Sequence, residues 1–181
     1  MQNLLFFILL IILTLIVIED FRFRKISLIW LVVILIISIL LQLNTNLHLY
    51  DIAANTFLNL CIIAVNYGIL TLYFSLKNRR LINLGNHYLG IGDLIFLIAV
   101  SFLFSPLNFV CFILLSLFFS LLYSLFAKLI LPNRFKTIPL AGLQSLFLFL
   151  LLTTLLVQDK ILEINNDKFT LNMILSYVGS N

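Results

Sequence analysis

Long apolar runs separated by short polar loops leave this chain few ways to fold. Residues 4–18 form an unbroken apolar run, and further runs cover 28–43, 52–76, 93–104, 109–131 and 139–157. A helix needs about 17–25 apolar residues to cross a bilayer core. Only structures that satisfy their own backbone hydrogen bonds can do so. Charged residues make up 10% of the chain, where a soluble domain carries about 25%. The runs therefore predict an all-α membrane protein, a six-transmembrane-helix bundle seated in the lipid bilayer. The first run has no basic residue before it and no small-residue cleavage site after it. It reads as a retained helix, not a removed signal peptide. The fourth run is short for a crossing, so it is expected to be tilted or shielded by protein.

The loop charges set an orientation. Loop 19–27 holds Arg22, Arg24 and Lys25, loop 77–92 holds Lys77, Arg79 and Arg80, and loop 132–138 holds Arg134 and Lys136. The loops at 44–51 and 105–108 hold no Lys or Arg. Basic loops stay cytoplasmic. Both termini then lie on the non-cytoplasmic side of a multi-pass protein of the cell (inner) membrane. The net charge of +4 is a topology signal on this reading and not a nucleic-acid patch. Residues 1–157 form the transmembrane domain, and 158–181 a polar, amphipathic tail whose part 169–178 suits an interfacial helix. Cys61 and Cys111 lie in apolar segments without a CxxC or a His companion. They read as ordinary buried thiols, with no zinc site and no disulfide framework.

Against this background two carboxylates stand out. Gly90-Ile91-Gly92-Asp93 puts an acid at the mouth of an apolar helix. A charge there is costly and has either a partner or a job. The bland reading is a turn with Asp93 as an N-cap. Asp20 ends the first run within the polar stretch 19–27, on the same side by the charge pattern. If the two helices are neighbours, the acids face one another. Like charges in close approach cannot both ionise easily, so such a pair shares one proton. Its ionised member can draw a proton from water, and its protonated member can hydrogen-bond a carbonyl, as in aspartic proteases. That chemistry needs no cofactor and no metal.

The other polar residues have plainer readings. Asn55, Asn59 and Asn66 recur at spacings of four and seven and put three amides near one helix face, suited to interhelical hydrogen bonds. Gln144 and Ser145 suit the same role. Glu19 neighbours Asp20 and is the alternative acid. His87 is a loop histidine, while His48 and Asp51 belong to the opposite side. Pro139 is well placed to open the last helix.

Asp20-Phe21-Arg22-Phe23-Arg24-Lys25-Ile26, Gly90-Ile91-Gly92-Asp93 and Ile138-Pro139-Leu140-Ala141, in that order, resemble the motifs of the type IV prepilin peptidase family. These are the GxGD membrane aspartic proteases, which include archaeal preflagellin peptidases. The resemblance covers nearly the whole chain. It implies a catalytic pair at Asp20 and Asp93, with Gly90 and Gly92 letting the substrate backbone come close. It implies a prepilin- or pseudopilin-like precursor as substrate, cut after the last Gly of its basic leader at the cytoplasmic face. Cleavage without methylation is expected, since the region that methylates in the long bacterial form has no counterpart here. Two positions depart from the pattern. Ser27 stands where many members have Pro, and Ile95 where many have Lys. The alternative is a non-catalytic relative, or a small transporter or assembly protein that uses the carboxylates to bind protons or ions. Transport predicts acids near the bilayer midplane, whereas these lie at its edge. The sequence sets no oligomeric state.

Overall fold

Each apolar run becomes a helix, the one open-chain conformation that satisfies its own backbone in an apolar setting. The computed structural model describes residues 2–45, 48–79, 90–130, 139–158, 164 and 167. Its helices are α1 (Gln2–Phe23), α2 (Leu28–Leu43), α3 (Leu49–Asn78), α4 (Ile91–Ser101), α5 (Pro106–Ile130) and α6 (Leu140–Val157). No strand occurs among the described residues. By length and composition α1, α3, α5 and α6 can cross a membrane, while α2 and α4 are shorter apolar helices. This is consistent with a helical membrane protein.

α1 packs most extensively against α6. Its buried side carries Phe6, Leu9, Leu13, Ile16 and Asp20, while Leu4, Phe7, Ile11 and Ile18 face outward. Those buried positions recur every three or four residues, so they form one stripe and Asp20 continues it. α6 answers with Ala141, Gly142 and Ser145, all buried. Small side chains let helix backbones approach closely. α2 packs on α4 and α1, and α3 leans on α4 and α5. Aromatic rings join α5 to α6, with Phe112 and Phe119 at 6.1 and 5.9 Å from Phe147.

The helix ends differ from the expected ones, each for a local reason. α1 does not stop at Ile18 but runs through Glu19 and Asp20 to Phe23. Arg24 closes it with φ 55°, and its N–H donates to the Asp20 carbonyl at 3.1 Å. That is the left-handed cap common at helix C-termini. α5 begins at Pro106 and not at 109, because a proline without an N–H fits the first helical position. α4 stops at Ser101. The buried Asn59 amide donates to the carbonyls of Ser101 and Phe104, both at 2.8 Å. Asn59 thus makes the interhelical bond its type suggests, whereas Asn66 bonds to Ile62 in its own helix. Ser145 also bonds within its own helix, to the Gly142 carbonyl. Cys61 is exposed, not buried, and Cys111 is half-buried.

Beyond α6 the chain returns to the α4–α5 turn. The Ile164 carbonyl accepts from the Ser105 N–H at 3.1 Å and from Asn108 Nδ2 at 2.8 Å. Asp167 Oδ1 accepts from the Leu107 N–H at 3.1 Å, capping α5. The expected features at 80–89 and 131–138, including His87, Arg80, Arg134, Lys136 and Ile138, and the expected helix at 169–178, lie outside the described residues.

Candidate active site

The site is built on the first turn of α6. A helix begins with backbone N–H groups that have no partner inside it. Pro139 is the N-cap of α6 and offers no side-chain acceptor. Two remote acids supply acceptors instead. The Ala141 N–H donates to Asp93 Oδ1 at 2.9 Å. The next N–H, that of Gly142, donates to Asp20 Oδ2 at 2.6 Å. Consecutive amides of one helix therefore hold the end of α1 and the start of α4 together, and the two carboxylates are electrostatic neighbours. Negative groups at this end also suit the helix dipole. Asp20 is buried at 7% exposure, and Asp93 is half-buried.

The two glycines of the motif have distinct surroundings. Gly90 is the N-cap of α4, so Asp93 is not the cap but the third helical residue. The Gly90 N–H also reaches the Asp93 carboxylate. A Cβ on Gly90 would stand 3.0 Å from Asp93 Oδ2. Gly92 faces Ile26, where a Cβ would find ordinary contact at 3.7 Å.

Glu19 is bound elsewhere. Its carboxylate accepts from the Ser27 N–H at 3.0 Å and from Trp30 Nε1 at 2.8 Å. It ties the end of α1 to the start of α2. Ser27 contributes a backbone N–H that a proline would lack. The Arg24 charge acts on Asp20. Ile95 is a partly buried hydrophobic residue against the core. His48 is the N-cap of α3 and Asp51 lies in its first turn, both exposed. Gln144 is buried on α6, and its side-chain carbonyl has no hydrogen-bond partner among the described residues.

The sequence reading brought out the two acids and missed what joins them. Ala141 and Gly142 act through backbone N–H groups, which leave no side-chain signature. The available hint was a proline followed by small residues at a helix start. Chemically, the site presents two carboxylates side by side, each with one oxygen held by α6. Among the described residues, no three His, Cys, Asp or Glu side chains group so as to hold a metal ion. Comparison with protein-family models, with curated proteins and with solved structures found no match.

Proposed function

We propose that this chain is a membrane-embedded aspartic endopeptidase, similar to the prepilin and preflagellin peptidases, acting through Asp20 and Asp93. The observation that carries the proposal is the pairing of these two acids on consecutive N–H groups of α6. A carboxylate pair that shares one proton activates water with its ionised member and polarises the scissile carbonyl with the other. Basic residues near the acids in sequence, Arg22 in the last turn of α1 with Arg24 and Lys25 after it, and Lys77 and Arg79 at the end of α3, support a cytoplasmic site in a six-span membrane domain with both termini outside. The substrate on this reading is a prepilin- or pseudopilin-like precursor whose basic leader ends at the membrane surface. Gly90 and Gly92, beside Asp93, border the path of its backbone.

One other reading rests on the same bonds. On that reading the acids are purely caps of α6, in a chain that cuts nothing. The two readings separate in a single assay. A tagged prepilin-like precursor is incubated in membranes with wild type, Asp20→Asn or Asp93→Asn, and its gel mobility followed. Processing by wild type and by neither variant supports the protease. Processing by all three refutes the catalytic assignment, and processing by none favours the capping reading.

A further inference from the structure

We infer that Gly142 is a positioning residue, the one that sets the Asp20 carboxylate beside Asp93 by offering an N–H where no side chain stands. The inference rests on the reading of Asp20 and Asp93 as a dyad. The geometry is specific to this residue. Its N–H meets Asp20 Oδ2 at 2.6 Å. A Cβ built on Gly142 would lie 2.8 Å from that oxygen, 3.0 Å from the Asp20 Cβ and 3.3 Å from its Cγ. Real Cβ atoms essentially never come within 3.0 Å of a heavy atom outside their own residue and its chain neighbours.

Two of those three atoms are not the far end of a flexible side chain. The Asp20 Cβ is fixed to the α1 backbone, so the carboxylate cannot swing clear while keeping its bond. Either the helices part or Asp20 turns away from α6. Burial on both sides closes the easy escape, since Asp20, Ala141, Gly142 and Ser145 are all buried.

The other glycines differ. Gly68 on α3 has nothing within 4 Å of its built Cβ, and Gly92 would make ordinary contact with Ile26. Gly90 abuts Asp93 alone, through the carboxylate end of that side chain. Among the described glycines, Gly142 alone joins a donated hydrogen bond to a Cβ site that crowds the Cβ of the acid as well as its carboxylate, and it does so on the acid that α4 does not carry. Gly142 touches no reacting atom in this account. It works through Asp20, by fixing where one oxygen lies and so where the second can point.

The test compares wild type with Gly142→Ala and, as a control in open space, Gly68→Ala. Three readouts are taken on purified protein in lipid nanodiscs. They are kcat and KM on a prepilin-like precursor, the pH profile of kcat, and the pH dependence of labelling of Asp20 by a hydrophobic carbodiimide, located by mass spectrometry. A displaced catalytic group costs about 100-fold in rate. The expected result is a kcat lowered by that order with KM little changed, a shifted pH profile and altered Asp20 labelling, while Gly68→Ala matches wild type in all three. Wild-type kcat and labelling in Gly142→Ala overturn the inference. If wild type cuts no precursor, the protease reading fails, and the labelling still decides the positioning: altered labelling sustains it, unchanged labelling overturns it. Should Gly142→Ala fail to fold, Asp20→Gly is added to it. Recovery of folded protein places the obstruction at Asp20 and sustains the inference, and continued failure overturns it.

Discussion

The Asp20 carboxylate and the Gly142 N–H meet across 2.6 Å although 122 residues separate them in the chain. The contact joins the C-terminal end of α1 to the first turn of α6, the two helices that pack most extensively. One residue earlier on α6, Ala141 does the same for Asp93. The first turn of α6 therefore satisfies two of its own orphan donors and, in doing so, brings two like-charged groups together. Fold and candidate chemistry share the same hydrogen bonds, so substitutions must be chosen to tell them apart.

Asparagine and alanine make that distinction at each acid. An Asn side-chain oxygen accepts a backbone N–H about as well as Asp, whereas Ala loses the cap at a cost of about 1 kcal/mol. Asp20→Asn and Asp93→Asn are expected to melt near wild type in detergent and to lose processing by at least about 100-fold, the lower range for removal of a general acid or base. Asp20→Ala and Asp93→Ala are expected to lose both. Thermal melts run beside the precursor gel check this. An Asn variant that melts and cuts like wild type would leave the acids as caps alone.

Glu19 is expected to fall outside the dyad, and the chain carries its own reporter for it. Trp30 is the single tryptophan, and its indole N–H donates to Glu19 Oε1 at 2.8 Å. Glu19→Gln removes the charge from that contact while leaving the α6 bonds of Asp20 and Asp93 in place. Precursor processing should stay within about 3-fold of wild type, a small fraction of the 100-fold or more that a catalytic acid supplies, while the Trp30 emission shifts. Loss of processing equal to that of Asp20→Asn would make Glu19 the acid instead.

Asn59 bears on stability alone. Its amide holds the carbonyls of Ser101 and Phe104 where α4 ends, within the buried interior. Interhelical side-chain bonds of this kind are worth about 1–2 kcal/mol in model helices. Asn59→Ala is expected to destabilise by that amount, read from detergent melts. Gly68→Ala, on the same helix and in open space, is expected to move the melt the other way, because a helical glycine costs about 0.5–1 kcal/mol relative to alanine. Equal melts for Asn59→Ala and wild type would show that the turn does not depend on this amide.

How much of this could be read from residues alone depends on contrast. The bounds of α2 at Leu28 and Leu43 were legible because polar residues abut the run on both sides. Asn59 was legible as a bridging amide because an amide stands out in an apolar helix. The buried side of α1 was not legible. Its residues are apolar all round, so nothing in the pattern separates Leu9 and Leu13, which are buried, from Leu4 and Ile11, which are not. The continuation of α1 through Glu19 and Asp20 was missed because two adjacent acids read as loop. In the fold, Glu19 is held by Ser27 and Trp30 and Asp20 by Gly142. The meeting point of the acids was hidden for a different reason. It is made by backbone N–H groups, which every residue but proline has, and the visible trace was the missing Cβ of Gly142.

The device that holds Asp20 and Asp93 at the start of α6 recurs at the start of α5, and there it predicts a role for the chain after α6. Asp167 Oδ1 accepts from the Leu107 N–H at 3.1 Å, so a carboxylate distant in sequence again caps a helix start. The neighbouring Ile164 carbonyl takes three donors, the Ser105 N–H, the Ser105 hydroxyl and the Asn108 amide. Ser105 and Asn108 are buried beneath it, so losing that acceptor breaks the hydrogen bonds and opens the turn to water, at a cost of about 0.5–1.5 kcal/mol for each bond. Removing residues 159–181 is therefore expected to speed amide exchange at Ser105 and Leu107 and to lower the melting temperature. Asp167→Ala in the full chain should lose the cap, about 1 kcal/mol, and Asp167→Asn should retain most of it. Hydrogen exchange read by mass spectrometry over 102–109 checks the three variants together. Unchanged exchange in the truncated protein would mean that the α4–α5 turn closes without the tail.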